Sequence, residues 1–315
     1  MANIFMANRT FICTRPVANG VEIKCAKGEF RALPPESPRP DPSDRARLLH
    51  VLAISTPQTC ALFSCWQAWM RRMVQRDIEW QYRLHLWLYS PRGVVADLTD
   101  GNATVSETNS FMDTVVAKWF YLNHFMSHAE ENATVLYTDI DIVPLASIGR
   151  LVGALPPTRD VTWMYNFLAH LPANSGFFVF RNGPSVREYL RLMCDIFERT
   201  GRTYFVSEQT LANEVLRHMY PAAYGRQLNW GTFSLAQVGA LSPKDPSVTA
   251  RTVAIHAIGA KVTNLELKVR RLNEAVRMRR NVSLAHGRRY WQRECVWADA
   301  VDDCTSTSTA TDVNR

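Results

Sequence analysis

Two aspartates one residue apart, Asp139 and Asp141, close an apolar run, Val135-Leu136-Tyr137, and are followed by another, Ile142-Val143-Pro144-Leu145. Carboxylates set against so much hydrocarbon are unfavourable unless a cation or hydrogen-bond donors answer them. Extended backbone puts residues i and i+2 on one side, so both acids can converge on a single ion. Hard oxygen ligands suit Mn²⁺ or Mg²⁺. The bland alternative is a strand-end turn whose acids cap the next element.

Three other groups bear on that choice. His256 ends a short apolar segment, and an imidazole there can be a third protein ligand. Gly259 lets backbone approach an anion closely, and Lys261 can neutralise one. Asn174-Ser175-Gly176 opens a strand with small residues and one side-chain amide, which suits the wall of a tight pocket. Ser207 reads as a helix N-cap, placing Glu208 and Gln209 in the first turn, where a helix mouth faces a pocket. Each has an ordinary structural explanation: a buried hydrogen-bonded histidine, a loop-to-strand transition, a capped helix. Capping accounts for Ser207 and Glu208 but not for Gln209.

The elements that must position these residues alternate. Apolar runs predict strands at 48–55, 82–89, 134–138, 161–165, 174–181 and 252–256, and helical spacing covers 58–76, 111–129, 184–199, 207–218 and 264–280. Such alternation predicts an α/β fold with a mostly parallel, Rossmann-like central sheet flanked by helices. In such sheets ligands bind at strand C-termini, where Asp139 and Asp141 stand. The domain is expected over 45–290, after an N-terminal appendage and Pro-rich linker (1–44), with 291–315 as a C-terminal extension and disordered tail. No GxGxxG follows the first strand and no GxxxxGK[ST] occurs, which disfavours dinucleotide cofactors and P-loop chemistry.

The formal net charge is +7, and the densest basic run is Lys268-Val269-Arg270-Arg271 with Arg277, Arg279 and Arg280. Helical spacing makes that run a solvated helix face; a nucleic-acid surface would interleave aromatics, and only Arg288-Arg289-Tyr290-Trp291 does. No nucleic acid is expected as a partner. Seven cysteines form no CxxC pair; Cys13 with Cys25, or Cys295 with Cys304, are candidate bridges in an oxidising compartment. Four Asn-x-Ser/Thr sequons would be glycosylation sites only in the secretory pathway. No apolar run is long enough for a transmembrane helix, so either the Golgi lumen or secretory pathway, with an anchor missing from this chain, or the cytoplasm is expected.

The order Thr138-Asp139-Ile140-Asp141, Asn174-Ser175-Gly176-Phe177, Glu208-Gln209-Thr210-Leu211-Ala212-Asn213, then His256-x-x-Gly259-x-Lys261 resembles retaining GT-A glycosyltransferases of the nucleotide-diphospho-sugar transferase group, families 8 and 77. The resemblance spans about residues 48–275. It implies a single GT-A domain in which Asp139, Asp141 and His256 hold Mn²⁺ (or Mg²⁺) against the diphosphate of a UDP-sugar. It further implies Lys261 on a phosphate, with Gly259 beside it, and Asn174 and Gly176 along the donor sugar. Gln209 would lie near the anomeric carbon with Glu208 beside it, Lys118 against the donor, and Ser55 and Thr56 near the uracil and ribose. Many family 8 members place the lysine one residue later with a proline after it, and have Asp where Glu208 stands. The implied reaction moves a sugar from the UDP-sugar donor to a hydroxyl of a glycan, protein or small-molecule acceptor. A nucleotidyltransferase is the competing enzyme class, but the expected Gly-rich basic loop is missing after the first strand. A non-catalytic nucleotide-sugar-binding protein is the other alternative.

Overall fold

The computed structural model describes residues 47–91, 104–166, 170–200, 207–240, 248–257 and 264–301, together with short strand segments between 9 and 29. Its strands are β1 (Arg9–Cys13), β2 (Arg47–Ser55), β3 (Trp80–Pro91), β4 (Thr134–Thr138), β5 (Ile142–Pro144), β6 (Val161–Tyr165), β7 (Ala173–Arg181), β8 (Trp230–Thr232), β9 (Val238–Ala240) and β10 (Ala254–His256). The helices are α1 (Cys60–Arg76), preceded by a 3-10 turn (Pro57–Thr59), α2 (Thr104–His128), α3 (Ile148–Gly153), α4 (Pro184–Thr200), α5 (Glu208–Glu214), continued by a π-helical turn (Val215–Met219) and a short helix (Tyr220–Tyr224), and α6 (Leu265–Ala285). Two hairpins of two-residue strands lie between β1 and β2.

Seven strands make the main sheet, in the order β1-β3-β2-β4-β7-β6-β8. Pairing is parallel within β3-β2-β4 and between β6 and β8, and antiparallel on both sides of β7 and at β1. The α/β class with a largely parallel sheet therefore holds: every strand but β1 and β7 runs the same way. A small sheet, β9-β10-β5, carries His256 at the end of β10 and pairs it with Ile142, the residue after Asp141.

The sequence of β2 is nearly all apolar because both of its faces are covered. Leu49, Val51 and Ala53 belong to a core with Trp66, Trp69 and Met73 of α1 and Val269, Leu272 and Val276 of α6. Leu52 and Ile54 face a second core with Trp119 and Leu122 of α2 and Tyr189 and Leu190 of α4. Aromatics dominate the second core; Trp163 and Phe178 pack with centroids 4.6 Å apart and Tyr137 and Phe178 at 5.0 Å. That stack backs β4, the strand that ends just before Asp139.

The segment 288–301 also packs. Gln292 is buried and donates to the carbonyls of Trp69 (3.1 Å) and Pro144 (2.9 Å). Cys295 is bonded to Cys65 of α1, closing a span of 230 residues. This rules out the candidate Cys295–Cys304 bridge; the observed partner was invisible in the sequence because it is set by packing of the C-terminal segment on α1. The Cys13–Cys25 pairing lies outside the described side chains. The double substitution Cys65→Ala with Cys295→Ala should remove about 2–4 kcal/mol of stability, read from urea unfolding under oxidising conditions. An unchanged midpoint would mean that packing alone holds this segment.

Candidate metal centre

The ladder between β6 and β7 is interrupted: Trp163 pairs with Phe178, but the next residue, Met164, pairs with Asn174. The extra residues of β7 lift Ser175 and Gly176 out of that ladder, the usual way a bulge re-aims a strand beside a site. Gly176 then lies against the end of β4, where its carbonyl accepts from the Asp139 N–H at 2.7 Å. A Cβ at Gly176 would stand 2.5 Å from Cε1 of His256 and 2.8 Å from Oδ2 of Asp139. Glycine is required here by the closeness of those two side chains.

Asp139, Asp141 and His256 converge: one ligand atom from each lies within 4.8 Å of the others. His256 is anchored from behind, since the Ala257 N–H donates to the Asp141 carbonyl at 3.0 Å. Nε2 of His256 is 3.0 Å from Oδ1 of Asp141, and Nζ of Lys268 is 2.5 Å from Oδ2. Burial disfavours the Asp141 charge, yet His256 and Lys268 outweigh it and hold this carboxyl well below the usual range. Asp139 moves upward instead, because burial is incompletely offset by Lys118. Among the described residues, Nδ1 of His256 is buried with no hydrogen-bond partner. A two-oxygen, one-nitrogen donor set and an orphaned imidazole nitrogen fit a borderline-hard divalent ion such as Mn²⁺.

Tyr137 is buried and donates to Oδ1 of Asp139 at 2.9 Å. Burial, then the Asp139 charge, push its phenol well above the ordinary value, so it stays a proton donor. Such outer partners fix the orientation of a ligating carboxylate. Tyr137→Phe should weaken Mn²⁺ binding about tenfold in calorimetric titration while the chain stays folded. Equal affinity would show that Asp139 is oriented by other groups.

The wall beside the triad is built on a buried ion pair. Lys118 of α2 reaches Oε1 of Glu208 at 2.9 Å and the Ser175 carbonyl at 3.0 Å, and Ser175 Oγ donates to the same Glu208 oxygen at 2.7 Å. The Lys118 side chain is 2% exposed and that of Glu208 13%. Burial opposes ionisation of Glu208, but Lys118 and Ser175 prevail and lower its proton affinity. Gln209 accepts from the Ser175 N–H at 3.3 Å, and Asn174 closes on the Gly176 N–H at 2.8 Å. Ser207 caps α5 by accepting from the Thr210 N–H, as its position in the sequence predicts. Asn213, fully buried, clasps both the N–H and the carbonyl of Ala173, fastening α5 to β7.

Ser55 and Thr56 lie at the C-terminal edge of the same sheet, where their hydroxyls meet that of Thr59 at 3.0 and 3.2 Å in the turn that starts α1. Gly259 and Lys261 fall outside the described residues. Sequence reasoning missed Tyr137 and Lys268. Tyr137 had a signal, since a tyrosine two residues before an aspartate in a strand shares its face. Lys268 was placed on a solvated helix face, and that is corrected: its side chain is 13% exposed and turned to Asp141. The neighbouring Arg270 is exposed as expected. Helical spacing made Lys268 one basic residue among many, and only the packing of α6 against β5 and β10 aims it inward.

Fold and site together define an α/β protein with a carboxylate–carboxylate–histidine centre at the C-terminal edge of its sheet. No family model matches the chain, and no curated protein matches it. Among solved structures it is similar to a glycosyltransferase involved in glycosylation of the major capsid of PBCV-1, at 11% identity over 72% of this chain and 98% of that one, TM-score 0.47. It is also similar to the galactosyltransferase LgtC with donor and acceptor sugar analogues, at 11% identity over 73% and 95%, TM-score 0.44. Mouse xyloside xylosyltransferase 1 is a third, at 10% identity over 67% and 98%, TM-score 0.38.

Proposed function

We propose that the chain is a metal-dependent retaining glycosyltransferase that moves a hexosyl or pentosyl group from a UDP-sugar to an acceptor hydroxyl. The observation that carries this reading is the convergence of Asp139, Asp141 and His256 from positions more than a hundred residues apart. They meet beside the small-residue wall of Gly176 and the mouth of α5.

A divalent ion at the triad supplies Lewis-acid stabilisation of the charge that develops on a departing diphosphate. Asp139, Asp141 and His256 would hold it, and Tyr137 keeps Asp139 oriented. Gln209 is fastened through its amide oxygen to Ser175, leaving its amide nitrogen as a donor to orient a sugar. Glu208 is held by Lys118 and Ser175, a poor arrangement for a carboxylate nucleophile. Retention is therefore assigned to attack from the leaving-group face, with the diphosphate accepting the acceptor's proton. The Cys65–Cys295 bond supports an oxidising, secretory compartment such as the Golgi lumen.

The test is hydrolysis of a panel of UDP-sugars with and without Mn²⁺. At least one donor should turn over, and only with the metal. Mn²⁺-dependent UDP binding without turnover of any donor, with a panel of acceptors added, would make the chain a binding protein. Turnover indifferent to Mn²⁺ would sink the metal-dependent reading.

A further inference from the structure

Asp141 has an N–H donor on each oxygen: His256 on Oδ1 and the Lys268 ammonium on Oδ2. Lys268 is thus a cation belonging to the chain itself, seated on an oxygen of one of the three side chains that would hold a divalent ion. Its placement is built into the fold. Asn264 caps α6 by accepting from the Leu267 N–H, and Val269 and Leu272 bury the helix against α1 and the small sheet. That fixes the backbone of Lys268 and leaves only its flexible stem free to move.

We propose that Lys268 is a displaceable internal competitor for the metal. It neutralises Asp141 until a divalent ion arrives, and then withdraws its ammonium from Oδ2. The proposal rests on the metal reading given above and goes beyond it, making metal affinity a contest between two cations for one carboxylate. Coulomb's law requires the contest. A dication on Asp141 would stand only a few ångströms from the ammonium, and both side chains are largely buried, so water screens the repulsion poorly. The long stem of lysine makes withdrawal easy, since the head can swing to solvent while its methylenes stay packed. The second hydrogen bond of Asp141, from His256, keeps the carboxylate in place during the exchange.

The experiment titrates the full chain with Mn²⁺ alone, comparing wild type, Lys268→Met and Lys268→Arg by calorimetry. Lys268→Met should bind Mn²⁺ about tenfold tighter or more, equivalent to at least about 1.4 kcal/mol, and Lys268→Arg should stay within a few-fold of wild type. A second measurement needs no variant. Acetylation of Lys268, followed by mass spectrometry, should rise several-fold when Mn²⁺ is added to the wild-type chain, with other lysines unchanged. Equal Mn²⁺ affinity of Lys268→Met and wild type overturns the proposal, as does labelling that stays constant or falls with metal. In that case Mn²⁺ binding by the wild type still leaves the metal reading intact. No Mn²⁺ binding by any of the three chains overturns both.

Discussion

Asp141→Asn is expected to lower Mn²⁺-dependent turnover of a UDP-sugar by about a thousandfold or more, measured as hydrolysis at saturating donor. A Lewis acid contributes several kcal/mol to the transition state, and each 1.36 kcal/mol is a factor of ten. The amide keeps the shape of the side chain but loses the charge that attracts a dication. It also presents an N–H₂ group where Lys268 and His256 now donate. The fold should survive, because Lys268 can carry its ammonium to solvent when its partner is gone. Urea unfolding should therefore shift far less than turnover does. If Asp141→Asn keeps more than a tenth of wild-type turnover, the triad is not where catalysis is supported. Gly176→Ala is the steric counterpart. It removes no ligand but sets a methyl carbon 2.5 Å from Cε1 of His256 and 2.8 Å from Oδ2 of Asp139, forcing those side chains aside, so Mn²⁺ affinity should collapse with no charge altered.

Lys118→Met should be the most destabilising single substitution near the site, at about 3–5 kcal/mol in chemical unfolding, because it leaves Glu208 buried without its cation. Replacing both partners, Lys118→Met with Glu208→Leu, should recover most of that loss, since a well-packed apolar pair often substitutes for a buried ion pair. The pH dependence separates the two variants. In the wild type, burial of Glu208 is outweighed by Lys118 and Ser175, so its proton affinity is lowered in the folded state. That contribution to stability is present at neutral pH and is lost as the pH falls through the depressed folded value. Without Lys118, burial dominates and the folded state prefers a protonated Glu208. The variant then loses least where the group is already neutral, so its deficit against wild type should shrink as the pH drops from 7 toward about 4. A deficit constant over that range would mean that Lys118 stabilises by packing over Trp119 and Tyr137, which its ammonium faces at 5.6 and 5.5 Å.

Most of the sheet was legible because its strands have covered faces. The apolar run of β2 and that of β4 read as strands for the reason they are strands, burial on both sides. The helix at 104–128 begins seven residues before its predicted start, since residues such as Ser106, Glu107 and Asn109 break the apolar rhythm used to find it. Helix α6 runs five residues past its predicted end at 280, as Asn281 to Ala285 continue no buried stripe and Leu284 is exposed.

By itself the amino-acid sequence determined the carboxylate pair, its seat at a strand end and the short-range devices around it. The Ser207 cap is of this kind; Asp139 and Asp141, expected on one face of an extended strand, instead lie in the turn between β4 and β5. Such devices are local: backbone geometry alone decides which side chains reach a nearby N–H. Tertiary structure decided everything that needed two distant segments at once. It brought His256 to Asp141, bonded Cys65 to Cys295, folded Lys118 beneath Ser175 and turned Lys268 from a basic helix into the site. No spacing rule encodes such pairs. They are set by how the helices settle on a twisted sheet to exclude water, and the charged groups then take whatever partners that packing leaves within reach.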